Sequence, residues 1–225
     1  MVKRLLIGAC CLTMMTAVSA QTNAQQWRDS LNQLNEQIRL APKSVDLRLR
    51  KAAVNIELNQ WDYAAEEYGR VLDIDPDNLS ALYFRAYVYS HERHYDLARY
   101  DYEAFLAIVP RHFEAQLGLA MVKRQLGRTS EAIDDLNQLV QMFPDSAMAY
   151  AARAGFESEQ HKMDLALYDW SEAIRLAPDN AEFVVSKVDV LLQLKRKKEA
   201  RKEIESAIRR GLPRGAFREW MNRCR

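Results

Sequence analysis

The chain has 225 residues, 48% hydrophobic and 28% charged, with seven glycines and a formal net charge of +1. That is enough apolar material for a substantial core and too few turn residues for an all-β domain. A net charge this close to zero points to no partner by itself.

In chain order, the first element reads as a secretory signal over 1–20. "MVKR" is a short basic start, "LLIGACCLTMMTAV" an apolar run, and "VSA" puts small residues before a cut after Ala20. The run is short for a membrane span. Two other readings of the same stretch are an uncleaved anchor and a lipid-modified Cys10 after "LIGAC". A cut after Ala20 removes Cys10 and Cys11 and leaves Cys224 as the one thiol, so an internal disulfide is excluded even in an oxidising compartment. Cys224 reads either as a packed cap residue or as an exposed thiol open to mixed disulfides. Charge is uneven: twelve Lys/Arg against four Asp/Glu between Lys195 and Arg225 give +8, while residues 21–194 carry −9.

After the signal, the spacing predicts helices in a regular series. Residues 24–41 form an amphipathic helix with Trp27, Leu31, Leu34 and Ile38 on one stripe. From there "IRLAP" at Ile38–Pro42 returns at Ile174–Pro178, four steps of 34 residues later. Pro42, Pro76, Pro110, Pro144 and Pro178 keep the same step, as do Ala64, Ala98, Ala132, Ala166 and Ala200. So do Ala52, Ala86, Ala120 and Ala154, with Val188 closing the series. Five copies of one unit follow, at 45–78, 79–112, 113–146, 147–180 and 181–214. Each unit reads as helix, turn, helix. Proline stops the second helix because it lacks an N–H and disfavours helical geometry in the residue before it. "PDN" supplies a turn and a cap for the next helix. Ala86 and Ala98 are small because two helices cross there. The last element, 215–225, places Phe217, Trp220, Met221 and Cys224 on one apolar face that caps the open end of the stack.

These residues resemble the tetratricopeptide repeat family. In 79–112 the family pattern is met by Ala86, Tyr89, Ala98, Tyr102 and Pro110. In 147–180 Glu157 replaces the first aromatic and Trp170 keeps the second; in 113–146 Lys123 and Leu136 replace both, although Gly127 keeps the turn glycine; in 181–214 Pro213 comes one place late. The resemblance implies an all-α, right-handed helical solenoid, with residues 21–44 as a half-repeat cap.

The sequence holds no P-loop, GxGxxG, GxSxG, HExxH or CxxC pattern. His91 and His94 in "HERH" lack a third ligand at a recognised spacing, so no catalytic, metal or cofactor site is expected. In the resembling family, first helices line a concave groove that takes peptides. The matching side chains include Leu49, Ile56, Tyr83, Tyr87, His91, Leu117, Met121, Met148, Val185 and Leu192, with Asp46, Glu57, Glu114, Glu159, Glu182 and Asp189 on the rim. They point to a protein or peptide with apolar anchors and basic flanks, or else they are ordinary repeat packing. The cation clamp with which some members hold an anionic peptide tail is missing, because Leu49 and Ala53, Tyr83 and Phe84, and Glu114 and Gly118 stand in its places. The stretch Lys195, Arg196, Lys197, Lys198, Arg201, Lys202 reads either as a solvated helix face or as a docking surface for an acidic protein or an anionic membrane. Nucleic acid is not expected, since no aromatic platform accompanies the charge. The expectation is therefore a non-enzymatic binding scaffold of the periplasm or cell envelope; the alternative is a peripheral adaptor held to a membrane surface by its basic end.

Overall fold

The computed structural model describes residues 24–225. The expected signal, its cut after Ala20, and Cys10 lie outside the described residues. The fold class is all-α, built from paired helices, with no strand among the described residues. A helix over 24–40 (α1) comes first, with Leu34 buried and Trp27, expected on its apolar stripe, 37% exposed. Five pairs follow: α2 Val45–Glu57 with α3 Trp61–Ile74, α4 Leu79–His91 with α5 Tyr95–Ile108, α6 Phe113–Gln125 with α7 Thr129–Met142, α8 Ala147–Glu159 with α9 Met163–Leu176, and α10 Ala181–Gln193 with α11 Lys197–Arg209. Both the first and the second helices start at intervals of 34 residues. The chain divides into two compact units, one up to Pro110 and one from Arg111. No helix of the described residues is long and apolar enough to cross a membrane.

Local chemistry accounts for the punctuation. Each first helix has a side-chain cap on the residue before it. Ser44, Asn78, His112, Ser146 and Asn180 accept from backbone N–H groups two or three places on, at 2.9–3.4 Å. Each bond satisfies an amide that the helix leaves without an internal partner. The second helices have no such cap. The chain reaches them through a one-residue left-handed turn at Asn59, Arg93, Gly127, His161 and Lys195, with φ between 56° and 72°. Only Gly127 takes that conformation without steric cost.

The core of each pair sits where small residues meet. Ala52, Ala64, Ala86, Ala98, Ala154, Ala166, Val188 and Ala200 are fully buried, which lets paired axes approach closely. Larger side chains fill the space beside them: Tyr68, Val71 and Val88 in the first unit, Phe156, Val184 and Ile204 in the second.

At the C-terminal end the expected single helix is instead a 3-10 turn, Arg214–Phe217 (η1), followed by α12, Arg218–Arg223. Pro213 and Gly215 are poor helix formers, and Phe217 leaves helical geometry at φ −111°, ψ 11°. Phe217 and Cys224 are nonetheless buried, with Trp220 and Met221 partly buried against the same core cluster. Burial also pushes the Cys224 thiol up, away from the reactive thiolate.

Candidate functional site

The first unit presents an open apolar cleft of about 380 Å³ between α2 and α4. Leu49, Ala53 and Ile56 recur at helical spacing along α2 and form one wall. Phe84 and Tyr87 of α4 form the other, and Tyr68 of α3 lines the cleft with them. Tyr68 is buried and stacks on Phe84 with centroids 6.1 Å apart and planes 16° from parallel. Burial raises its pKa to about 12, so the phenol stays neutral. Phe84 and Tyr87 remain 43% and 45% exposed. Arg50 and Glu57 also line the cleft.

Three of the expected groove residues, Leu49, Ile56 and Tyr87, are thus brought together. His91 lies one turn beyond, stacked on Trp61 at 3.8 Å, and Trp61 is 6.3 Å from Tyr87. Tyr83 faces α5 instead: its ring is 6.1 Å from Tyr102 and 5.6 Å from Phe105, and it meets Phe84 edge-on at 5.2 Å. Sequence reasoning missed Arg50, and placed Phe84 only among the positions of the absent cation clamp. A signal for Phe84 was available: α4 is apolar on nearly every face, from Leu79 through Tyr89, which is more than two flanking helices can cover.

In the second unit the expected residues divide. Leu117 and Met121 are half-buried against the core cluster of α6, α7 and α8, which is the packing role left open above. Met148 is 50% exposed, and Glu114 and Glu182 are exposed. Glu114 lies 3.4 Å from His112 Nδ1, and Glu159 pairs with Arg124 at 3.0 Å.

The six basic residues are all exposed and have different local partners. Arg196 binds Glu199 through both oxygens at 2.7 Å and, with Lys202, lines a mixed-charge cleft that also holds Asp164, Glu199 and Glu203. Arg201 pairs with Glu205 at 2.9 Å, and Lys197 reaches the main-chain oxygen of Arg225 at 3.2 Å. Lys195 occupies the left-handed turn, and Lys198 is exposed.

A buried or partly buried ion pair inside each helix pair was not anticipated. Lys51–Glu67 (2.9 Å), Arg85–Asp101 (2.7 Å), Arg153–Asp169 (2.6 Å) and Lys187–Glu203 (2.7 Å) each join the first helix to the second across sixteen residues. In the third pair Leu119 takes the basic place, and Lys123 supplies the charge to Asp135 at 2.7 Å. Asp101 and Asp169 receive both prongs of an arginine fork, the strongest geometry for such a bond. The ion pairs tie the two helices of each pair together at their facing sides, while the cleft lies on the open side of α2 and α4. Among the described residues, no group of three or more His, Cys, Asp or Glu is placed to hold a metal ion.

The family model for the tetratricopeptide repeat matches residues 49–112, 85–147, 117–170 and 157–216. The DnaJ protein P58IPK homolog B of Oryza sativa subsp. japonica is 26% identical over 164 residues, covering 71% of this chain and only 30% of that protein. A tetratricopeptide repeat protein from Parabacteroides merdae has a solved structure with a TM-score of 0.64 at 20% identity, over 91% of this chain and 80% of that one. YrrB, described as a TPR protein with an unusual peptide-binding site, superposes with a TM-score of 0.60 at 17% identity, over 78% of this chain and 90% of its own. At these identities the solved structures establish the fold alone.

Proposed function

The chain belongs to the tetratricopeptide repeat family, and from that premise we propose that it is a non-enzymatic scaffold of the cell envelope that binds a peptide segment of a partner protein in the cleft between α2 and α4. One observation carries this reading: two aromatic rings, Phe84 and Tyr87, stand almost half exposed over a floor of Leu49, Ala53 and Ile56. Exposed aromatics around an apolar concavity offer large contact area at low entropy cost, the chemistry that dominates interface energetics. Arg50 and Glu57 at the cleft give it polarity, so an apolar anchor with a basic residue toward Glu57 fits best. The peptide-binding description of YrrB adds support from a similar fold. We keep the division of the chain into a signal over 1–20, a half-repeat over 21–44, five 34-residue repeats and a cap over 215–225 as part of this proposal. Export follows from the signal, and a mature N-terminus at Gln21 is its direct check by mass spectrometry.

The test starts with affinity capture from native envelope extract and mass spectrometry of what is retained. Calorimetry of the retained partner's peptide then follows, with wild type and with Phe84→Ala/Tyr87→Ala. The double variant should lose about thirtyfold in affinity, roughly 2 kcal/mol, with unchanged helix content. Full affinity in a folded double variant would sink the cleft as the binding site.

A further inference from the structure

We infer that the C-terminal cap carries an anion site for a phosphate monoester. A pocket of about 400 Å³ there is lined by Arg201 of α11, by Arg214, Gly215, Arg218, Met221 and Asn222 of the η1–α12 segment and by Arg225 just after it, with no acidic side chain on its wall. The placement follows from packing. Phe217 and Cys224 are buried, and Trp220 and Met221 are partly buried, on the core cluster that includes α10 and α11. That contact fixes the rotation of the segment about its own axis. Residues 214, 218, 222 and 225 then line the same pocket as Arg201.

Arg201 is already paired with Glu205. Arg214, Arg218 and Arg225 have no ion-pair partner among the described residues. Arginine does not relieve such crowding by losing its proton, as a lysine can. In water these exposed forks are met only by mobile counterions, which a ligand with fixed oxygens at the same place can displace. A carboxylate brings one charge and two oxygens. A phosphate monoester brings close to two charges and three acceptor oxygens, enough to meet several guanidinium forks at once. The Asn222 amide adds a neutral donor, and the volume leaves room for the organic group on the ester.

The source of the phosphate is decided by two probes, glycerol 3-phosphate in solution and phosphatidylcholine vesicles containing a minor fraction of phosphatidic acid. Each is titrated against the full chain and two variants. Arg214→Lys/Arg218→Lys keeps the net charge and removes two forks. Lys195→Glu/Lys198→Glu changes the charge of the same end outside the pocket. The expected result is binding of at least one probe, weakened about tenfold by the two lysines and little altered by the two glutamates. Binding of the soluble ester assigns a free phosphorylated compound. Binding of the vesicles alone, with the same dependence on the arginines, assigns a lipid headgroup. Binding of neither probe overturns the site. So does full affinity in the lysine variant, or a loss in the glutamate variant as large as in the lysine one, since both mean diffuse charge rather than a built pocket.

Discussion

The second and fourth helix pairs carry the same fork, with a different residue four places after the arginine, although Arg153 also lies over a ring, that of Tyr150, at 5.9 Å. In both, an arginine on the first helix binds a buried aspartate on the second through two bonds of 2.6–2.8 Å. In the second pair the arginine also lies over the Tyr89 ring, 5.6 Å from its centroid. In the fourth the equivalent place holds Glu157, only 6% exposed and with one oxygen lacking a hydrogen-bond partner. Burial first, and Asp169 next, raise the Glu157 pKa to about 7, against the pull of Arg153 and Lys162. One frame therefore tolerates a ring or a carboxyl group beside the fork. The ring makes the pair insensitive to pH, and the carboxyl group makes it titrate.

The sharpest way to break the comparison is to remove the aspartates. Asp101→Ala strands Arg85 and should cost about 3 kcal/mol in urea unfolding, since losing one partner of a buried pair leaves the other charge uncompensated. Asp169→Ala should cost about half as much, because Glu157 remains beside Arg153 to take over the pairing. Equal losses would mean that Glu157 does not interact with the fork.

Next in size is the pH response. The folded-state pKa of Glu157 is raised above its ordinary value of 4.5 to about 7, so between those values the native state holds more protons than the unfolded chain. Stability from this group is therefore present below pH 4.5 and falls as pH rises through 7. Glu157→Gln imitates the protonated form. It should be more stable than wild type by about 2 kcal/mol at pH 8 and indistinguishable at pH 4, read from paired urea melts. A constant difference across that range would count against a raised pKa.

The frame itself was largely readable from sequence, and the forks were not. Small residues at a fixed step identify the crossing points, because a larger side chain there forces the axes apart, and Ala86, Ala98, Ala154 and Ala166 are indeed fully buried. Prolines and Asn or Ser caps mark the helix ends by local chemistry, and local chemistry is visible in a short window. Nothing local marks Asp101 and Asp169 as buried, because burial of a charge depends on a partner sixteen residues away. The clue was the register: residues 67, 101, 135, 169 and 203 are all acidic. For the candidate cleft, spacing placed Leu49, Ile56 and Tyr87 together. It could not say that Tyr83 would face Tyr102 and Phe105 while Phe84 took the open side, because that depends on which neighbour covers each face of α4.

If the frame is common to both pairs, overpacking it should cost the same in each. Ala98→Leu and Ala166→Leu both insert a branched side chain at a fully buried crossing. Each should destabilise by about 1–2 kcal/mol in thermal melts. A clear excess in one pair would show that its crossing, and not only its companion residue, differs.

The smallest effect tests the aromatic side of the comparison. Tyr89→Leu removes the ring beneath Arg85 and leaves the fork to Asp101 untouched. The quadrupole of a ring face attracts a guanidinium by about 0.5–1 kcal/mol at a partly exposed site. Arg85 is such a site, with its side chain 20% exposed. The variant should lose about that much, because leucine replaces the apolar contact and not the electrostatic one. Repeating the substitution in an Arg85→Leu/Asp101→Leu background separates the two contributions, as in any double-mutant cycle. With the cation gone, Tyr89→Leu should become nearly neutral. If the loss persists there, Tyr89 acts by packing alone, for instance against the His94 ring that it meets edge-on at 6.2 Å, and the ring and the carboxyl group are not alternative answers to the same arginine.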